Sequence, residues 1–258
     1  LGIGAISDGQ LFLLSERQMA RISPHFPLSH GVPRVDDRRV VSGVVYVIRN
    51  GLQWKDVLAD YRPHKTLYNR FIRWSRLGVF NRIFAALAGE GSRLERIMID
   101  ATHLKAHQTA ASLFKGGMFP EVSDAPRAAL NSKLHAVCDG QGRPLVTTLT
   151  EGQTSDYRGA RLMLAHLPPA REMPADKGYD ADWLRKELAE RGIAACIPSR
   201  TKRKSPVPHD ATLYRQRHRI EIMFGRLEDW RSIATRYDRC AHIFFSAICI
   251  AAAVIFWL

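Results

Sequence analysis

The chain has 258 residues, 46% of them hydrophobic, and carries 38 Lys and Arg against 25 Asp and Glu, a formal charge of +13. That length supports one large core or a small domain joined to a medium one, and the apolar content excludes a disordered polybasic segment. A foldable chain this basic seeks a polyanion: nucleic acid is the usual one, and an acidic membrane surface is the competing partner.

The first 90 or so residues read as helical. Ser15 with Glu16 starts a helix that runs to Ile22, and Pro24-His25-Phe26-Pro27 ends it. Asp36 or Asp37 caps a second helix, Arg38 to Asn50, with Val41, Val44, Val45 and Ile48 at helical spacing and Gly51 as its stop. A short segment around Trp54 to Leu58 follows. After Pro63 the run His64 to Leu77 alternates basic and aromatic residues, with Lys65, Arg70 and Arg73 beside Leu67, Phe71 and Trp74. It is the candidate recognition helix of a helix-turn-helix-like module, its aromatic stripe buried and its cations turned to DNA. A solvated basic face over an aromatic core is the plainer alternative.

From Gly91 the texture changes to short β-like runs between helical ones. Arg96 to Ala101 reads as a buried strand ending near a carboxylate, and Lys133 to Cys138 with Pro144 to Leu149 flank the hairpin turn Asp139-Gly140-Gln141-Gly142. Asp156 is expected to cap a helix from Tyr157 to Leu167. Arg171 to Ala175 is extended, Ala181 to Arg191 helical until Gly192, and Ile193 to Ile197 another strand. Lys105 to Ala129 lacks periodicity and is expected to be a loop or flap. The order suggests a mixed α/β sheet with helices on its faces. Ala241 to Leu258, apolar apart from His242 and Ser246, is expected to be a buried helix closing the core rather than a membrane anchor. Leu1 to Leu14 lacks a basic leader and contains Asp8, so no secretory signal is expected. Cys138, Cys196, Cys240 and Cys249 show no CxxC spacing and are expected to be reduced and buried.

The most distinctive stretch is Tyr214-Arg215-Gln216-Arg217-His218-Arg219-Ile220-Glu221, strongly basic with one carboxylate inside it. On one continuous helix Tyr214, Arg217, Glu221 and Glu228 would fall within about 60° of one another, beside an apolar face of Leu213, Ile220, Phe224 and Leu227. A phenol, a guanidinium and a carboxylate would then share one surface stripe, which suits phosphodiester chemistry; an ordinary i,i+4 ion pair between Arg217 and Glu221 is the alternative. Asp100, Asp176 and Glu221, drawn from two strand ends and a helix, would suffice to neutralise two divalent cations, with magnesium the natural choice.

Ile99-Asp100-Ala101-Thr102-His103-Leu104-Lys105, Ala175-Asp176-Lys177-Gly178-Tyr179-Asp180 and the Tyr214 to Glu221 helix together resemble the DDE transposases of bacterial insertion sequences, specifically the insertion sequence five family. Pro27-Leu28-Ser29-His30-Gly31, Gly51-Leu52-Gln53-Trp54 and Tyr237-Asp238-Arg239-Cys240-Ala241-His242 extend that resemblance over nearly the whole chain. It implies a helical DNA-binding domain over residues 1–90 and a ribonuclease-H-like catalytic domain over residues 91–258. Asp100, Asp176 and Glu221 would bind two Mg2+ ions, or Mn2+, while Tyr214 and Arg217 hold DNA near the cut. The implied protein is cytoplasmic and nucleoid-associated, not membrane-bound, and acts as a homodimer on double-stranded DNA. It binds the terminal inverted repeats of its element, cleaves there and joins the ends to target DNA without a covalent enzyme intermediate.

Two positions depart from the family pattern. Glu228 stands where the family carries Lys, which reverses a charge on the DNA-facing stripe, and Ile222 follows the catalytic Glu where close relatives carry Asn. The copy is therefore expected to be weakened, and a catalytically inactive DNA-binding protein is the alternative function. Glu121-Val122-Ser123-Asp124 is an acidic patch in the flap, where DNA would favour basic residues. His103 and His107 sit four apart but lack the neighbouring Glu of a zinc motif, and Asp139 reads as a turn residue. Lys202-Arg203-Lys204 is a basic loop ahead of the glutamate helix, either solvated or in contact with DNA.

Overall fold

A computed structural model of the protein describes residues 11–27, 36–90, 94–107 and 131–258. Most of the expected flap, its acidic patch and most of the Pro27–Gly31 motif lie outside those residues. The helical start is built as its caps dictate. Ser15 forms a reciprocal capping box with Gln18 at the head of α1 (Glu16–Ile22), and Asp36 accepts from the backbone N–H groups of Arg38 and Arg39 to open α2 (Asp37–Asn50). Gly51 closes α2 in the left-handed conformation at φ 64°. α3 (His64–Arg76) buries Leu67, Phe71 and Trp74 and leaves Lys65 and Arg73 exposed. α4 (Val79–Ala88), which the composition of its segment does not announce, starts at the left-handed Gly78.

The sheet has the order β3-β2-β1-β4-β5. β1 (Leu94–Ala106) is central; β2 (Asn131–Asp139) and β3 (Pro144–Glu151) extend it antiparallel, while β4 (Ala170–Pro174) and β5 (Ala194–Cys196) extend it parallel on the other side. This is the ribonuclease-H-like arrangement. β1 outruns the expected strand at both ends: β4 pairs with it from Leu94 opposite Ala170, and β2 from Ile97 opposite Asp139 to Lys105 opposite Asn131. Its far end also pairs with a two-residue strand, β6 (Thr235–Arg236).

Helices cover both faces, and alternation along the strands assigns each side chain to a layer. Ile97, Ile99 and Val137 pack with Ala160 and Met163 of α5 (Asp156–Met163) and with Leu184 and Leu188 of α6 (Asp182–Glu190). Met98, Leu134, Ala136 and Cys138 face the opposite layer, which combines α1 to α4 with α8 (His218–Glu228), α9 (Arg231–Ala234) and α10 (Ala241–Ala252) in one cluster. α10 continues into a wider turn over Ala253–Trp257, and its residues are almost wholly buried. Among the described residues no helix is long and apolar enough to cross a membrane. All four cysteines are free; Cys240 is half-buried rather than buried, and the other three are buried.

Candidate active site

The parallel pairing of β1 with β4 ends at a bridge between Ile99 and Ala175. The next residue on each side of the bridge is an aspartate, so the pairing sets Asp100, within β1, beside Asp176, where the parallel pairing with β4 stops. Asp176 has extended backbone and heads the single turn Lys177–Tyr179 without capping it, which leaves its carboxylate for other partners. The Tyr214 hydroxyl donates to Asp176 Oδ1 at 3.4 Å. Burial pushes the Asp100 carboxyl up from its ordinary value; the backbone N–H of Ala101 and the Arg217 guanidinium oppose this, while Asp176 and Asp156 add to it.

The expected glutamate helix is broken in two. α7 (Ala211–Arg215) ends, Gln216 and Arg217 make a turn, and α8 begins at His218. Arg96 on β1 binds both Glu172 on β4 and the Gln216 side chain, which ties this turn to the sheet. Arg219 donates to the Gly140 carbonyl and fixes the start of α8 to the β2–β3 hairpin. The apolar face is as the sequence indicates: Leu213, Ile220, Phe224 and Leu227 are buried. The polar groups do not form a simple stripe, because Arg217 turns inward. One of its nitrogens contacts Asp100 Oδ2 and the other donates to Glu221 Oε1 at 2.6 Å. A cation thus joins two of the three carboxylates, and a phenol touches the third. Glu221, in the first turn of α8, remains half-exposed.

Among the described residues no group of three or more His, Cys, Asp or Glu side chains is gathered as a metal cluster. Asp100 and Glu221 are spaced by the guanidinium that they share. Glu228, at the charge-reversed position, accepts from Thr102 Oγ1 at 3.0 Å and so faces β1 close to Asp100. Ile222 is 56% exposed, the most open large apolar side chain described. Lys65, Arg70 and Arg73 belong to α3, which packs principally on α2, α4 and α10, and Arg70 lies 5.8 Å over the Trp74 ring.

Three further residues border the site, two of which, Asp156 and His135, sequence patterns did not link to it. Asp156 is not the cap of α5; Ser155 holds that position, and Asp156 pairs instead with Lys133 Nζ at 2.7 Å. A Cβ on Gly178 would stand 2.9 Å from Asp156 Oδ2, so Asp156 lies against the turn that follows Asp176. Tyr179 is wholly buried, and its hydroxyl is raised well above its ordinary value, first by burial and then by Asp100, Asp156 and Asp176. His135 on β2 is also fully buried and meets Thr150 Oγ1 at 2.8 Å. Tyr179 follows Asp176 by three residues, whereas no local spacing links Asp156 or His135 to the carboxylates.

Residues 91–256 match the family model described as "Transposase DDE domain", and residues 14–84 match one described as "Putative transposase of IS4/5 family". A Brucella ovis protein named "Putative transposase for insertion sequence element IS6501" is 36% identical over 130 residues, 50% of this chain and 99% of that protein. One from Burkholderia cepacia, named for insertion sequence element IS402, is 28% identical over 142 residues, 51% of this chain and 65% of that protein. The piggyBac transposase in a synaptic complex with hairpin DNA aligns with a TM-score of 0.48 at 12% identity, covering 93% of this chain and 70% of that one. With the larger family model spanning well over half of its length, the chain belongs to the DDE transposases of insertion sequences.

Proposed function

We propose that the protein binds the terminal inverted repeats of its own mobile element, cleaves DNA at the element ends and joins them to target DNA, using Asp100, Asp176 and Glu221. The observation that carries this reading is that Asp100, within β1, and Asp176, just past β4, each directly follow the parallel bridge between Ile99 and Ala175, with Glu221 drawn to Asp100 through Arg217. The donor set suits hard divalent cations: the candidate ligands are carboxylate oxygens, and the Asp100–Glu221 pair already accommodates positive charge in the form of a guanidinium. Asp100, Asp176 and Glu221 would hold two Mg2+ or Mn2+ ions, which would activate the attacking oxygen and stabilise the leaving one.

The chain's own residues supply the rest. Burial raises the Tyr214 phenol above its ordinary value, so it stays protonated at neutral pH and can donate to a phosphate oxygen as it does to Asp176. Arg217 is a planar fork suited to phosphate and would exchange its carboxylate partners for backbone phosphate when DNA arrives. Lys65, Arg70 and Arg73 of α3 would contact repeat DNA from the amino-terminal 90 residues, and a homodimer would bring two ends together. Glu228 sets a negative charge beside this surface, which lowers its affinity for phosphate and supports a weakened copy.

The test uses duplexes made from the DNA that flanks the gene, incubated with Mg2+ or Mn2+. Wild type should nick at the element boundary, and Asp100→Ala should bind equally and leave the DNA intact. Equal binding with no cleavage by either protein would show a DNA-binding protein without catalysis.

A further inference from the structure

We infer that the loop between β5 and α7, residues 197–210, is a second phosphate-binding element at the edge of the carboxylate site, with Lys202, Lys204 and Lys177 as its contacts and Asp180 as the post that fixes it. This deepens the transposase reading and rests on DNA being the substrate. The loop has no helix or strand, yet it is tied at several points. Ser199 Oγ and the Val207 backbone close its base, with Val207 N–H donating to Ser199 Oγ at 2.8 Å. Asp180, whose side chain is 1% exposed, accepts from the Arg200 backbone N–H at 2.9 Å, from Arg203 Nη1 at 2.9 Å and from Arg185 at 2.9 and 3.0 Å. Burial alone would raise this carboxyl, but the Arg200 N–H and the Arg185 and Arg203 guanidiniums hold it below its ordinary value.

A buried ion cluster of this kind adds little net stability compared with apolar packing, but it fixes geometry. Here it fixes the loop against the turn that follows Asp176: Arg200 Nε donates to the Lys177 carbonyl at 3.1 Å, and the same guanidinium reaches the Gly178 carbonyl. On its other side the loop runs into α7, where Asp210 caps the helix and the His209 ring meets Tyr214 edge-on at 5.6 Å. One rigid segment thus joins Asp176 to Tyr214. Arg203 is spent internally on Asp180 and Asp182. Lys177, Lys202 and Lys204 are exposed and, among the described residues, pair with no carboxylate. The neighbours of the two loop lysines, Thr201, Ser205 and Pro206, are exposed and small or polar, which does not suit a lipid surface. Lysines are point charges without the planar fork of arginine, and exposed on a loop of small and polar residues they suit the phosphates of the DNA backbone.

The test measures duplex binding by fluorescence anisotropy in chelator over a range of salt, for the flanking duplex and for an unrelated one. Lys202→Ala/Lys204→Ala should bind both duplexes roughly tenfold more weakly at about 0.1 M salt, with a log K against log salt slope shallower by about 2. A control, Lys186→Ala/Arg191→Ala on α6, removes equal charge from exposed positions and should leave the slope as in wild type. An unchanged slope in the loop variant, or an equal loss in the control, overturns the proposal while the transposase reading stands. Absence of any salt-dependent binding by wild type would overturn both.

Discussion

Replacing Arg217 separates its two roles, as counter-charge for the carboxylates and as a phosphate ligand. Its side chain and that of Asp100 are each 18% exposed, whereas Glu221 is 54% exposed, so the Asp100 contact carries most of the energy. At an effective dielectric near 20 a pair of unit charges about 4 Å apart attract by about 4 kcal/mol, and desolvation of the guanidinium takes back a large part. A net loss of about 2 kcal/mol for Arg217→Ala lies between the values for exposed and for buried pairs. For a chain of this size that corresponds to a melting temperature lower by roughly 4 to 8 °C. Divalent cations must compete with the same guanidinium for Asp100 and Glu221, so removing it should return up to about 2 kcal/mol to cation binding, roughly thirtyfold in affinity. Titration of Mn2+ followed by electron paramagnetic resonance, with thermal melts in chelator and in Mg2+, reads both effects without any DNA. Arg217→Ala should melt lower in chelator and regain more than wild type does on adding Mg2+. Arg217→Lys, which keeps the charge but loses the fork, should fall between the two. If folded Arg217→Ala binds Mn2+ no more tightly than wild type, the guanidinium does not compete for the carboxylates and the argument fails.

Gly159 on α5 sits directly over His135, and a Cβ there would overlap the imidazole ring, so Gly159→Ala should cost about 1 to 3 kcal/mol in urea denaturation by lifting α5 from the sheet. Burial, then the Lys133 ammonium and His103, lower the His135 imidazole to about 4 against the pull of Asp156, so the folded protein keeps it neutral while the unfolded chain takes up a proton below about pH 6.5. Stability from this group is therefore complete above pH 6.5 and lost between there and about pH 4, on the order of 3 kcal/mol. Urea melts of wild type and His135→Gln at pH 7.5 and 4.5 should show the difference between them shrinking at the lower pH; a constant difference would refute it. On α3, Lys65→Ala/Arg73→Ala should weaken binding to the flanking duplex about tenfold with the circular dichroism unchanged. Arg70→Ala should also lower the melting temperature, because Arg70 stacks on Trp74.

Asp100 follows the apolar run Ile97-Met98-Ile99, which reads as a buried strand, and Asp176 follows the short extended segment Arg171 to Ala175, but their adjacency comes from the bridge between Ile99 and Ala175, which neither segment announces. The caps at Ser15, Asp36 and Gly51 were legible because the chemistry that starts or stops a helix acts within a few residues. α4 was not, since its segment offers neither a polar cap nor an acidic first turn, and its start depends on the left-handed Gly78. β6 was hidden because two residues carry no period at all, and its pairing with the end of β1 comes from chain folding.

The inward turn of Arg217 shows where local periodicity stops being informative. On a continuous helix Tyr214, Arg217 and Glu221 would present three separate tips to DNA, and nothing in their spacing says otherwise. The break at Gln216 changes that. Arg96, 120 positions away in sequence, holds the Gln216 side chain, and Arg219 reaches a hairpin carbonyl 79 positions away. With its backbone placed at the head of α8 rather than in mid-helix, Arg217 points its guanidinium across to β1, where Asp100 is short of positive charge because burial and the neighbouring Asp176 both disfavour its ionised form. The carboxylates create the demand for a cation, and Arg217 meets it. Asp156 is a further anion whose charge reaches Asp100, and it takes Lys133 as its own counter-ion, so a residue that reads as a helix cap serves instead as one half of an ion pair beside the site. Residue types that look like surface pairs in one dimension are redistributed by the field of two adjacent aspartates, and that field exists only once β1 and β4 have paired.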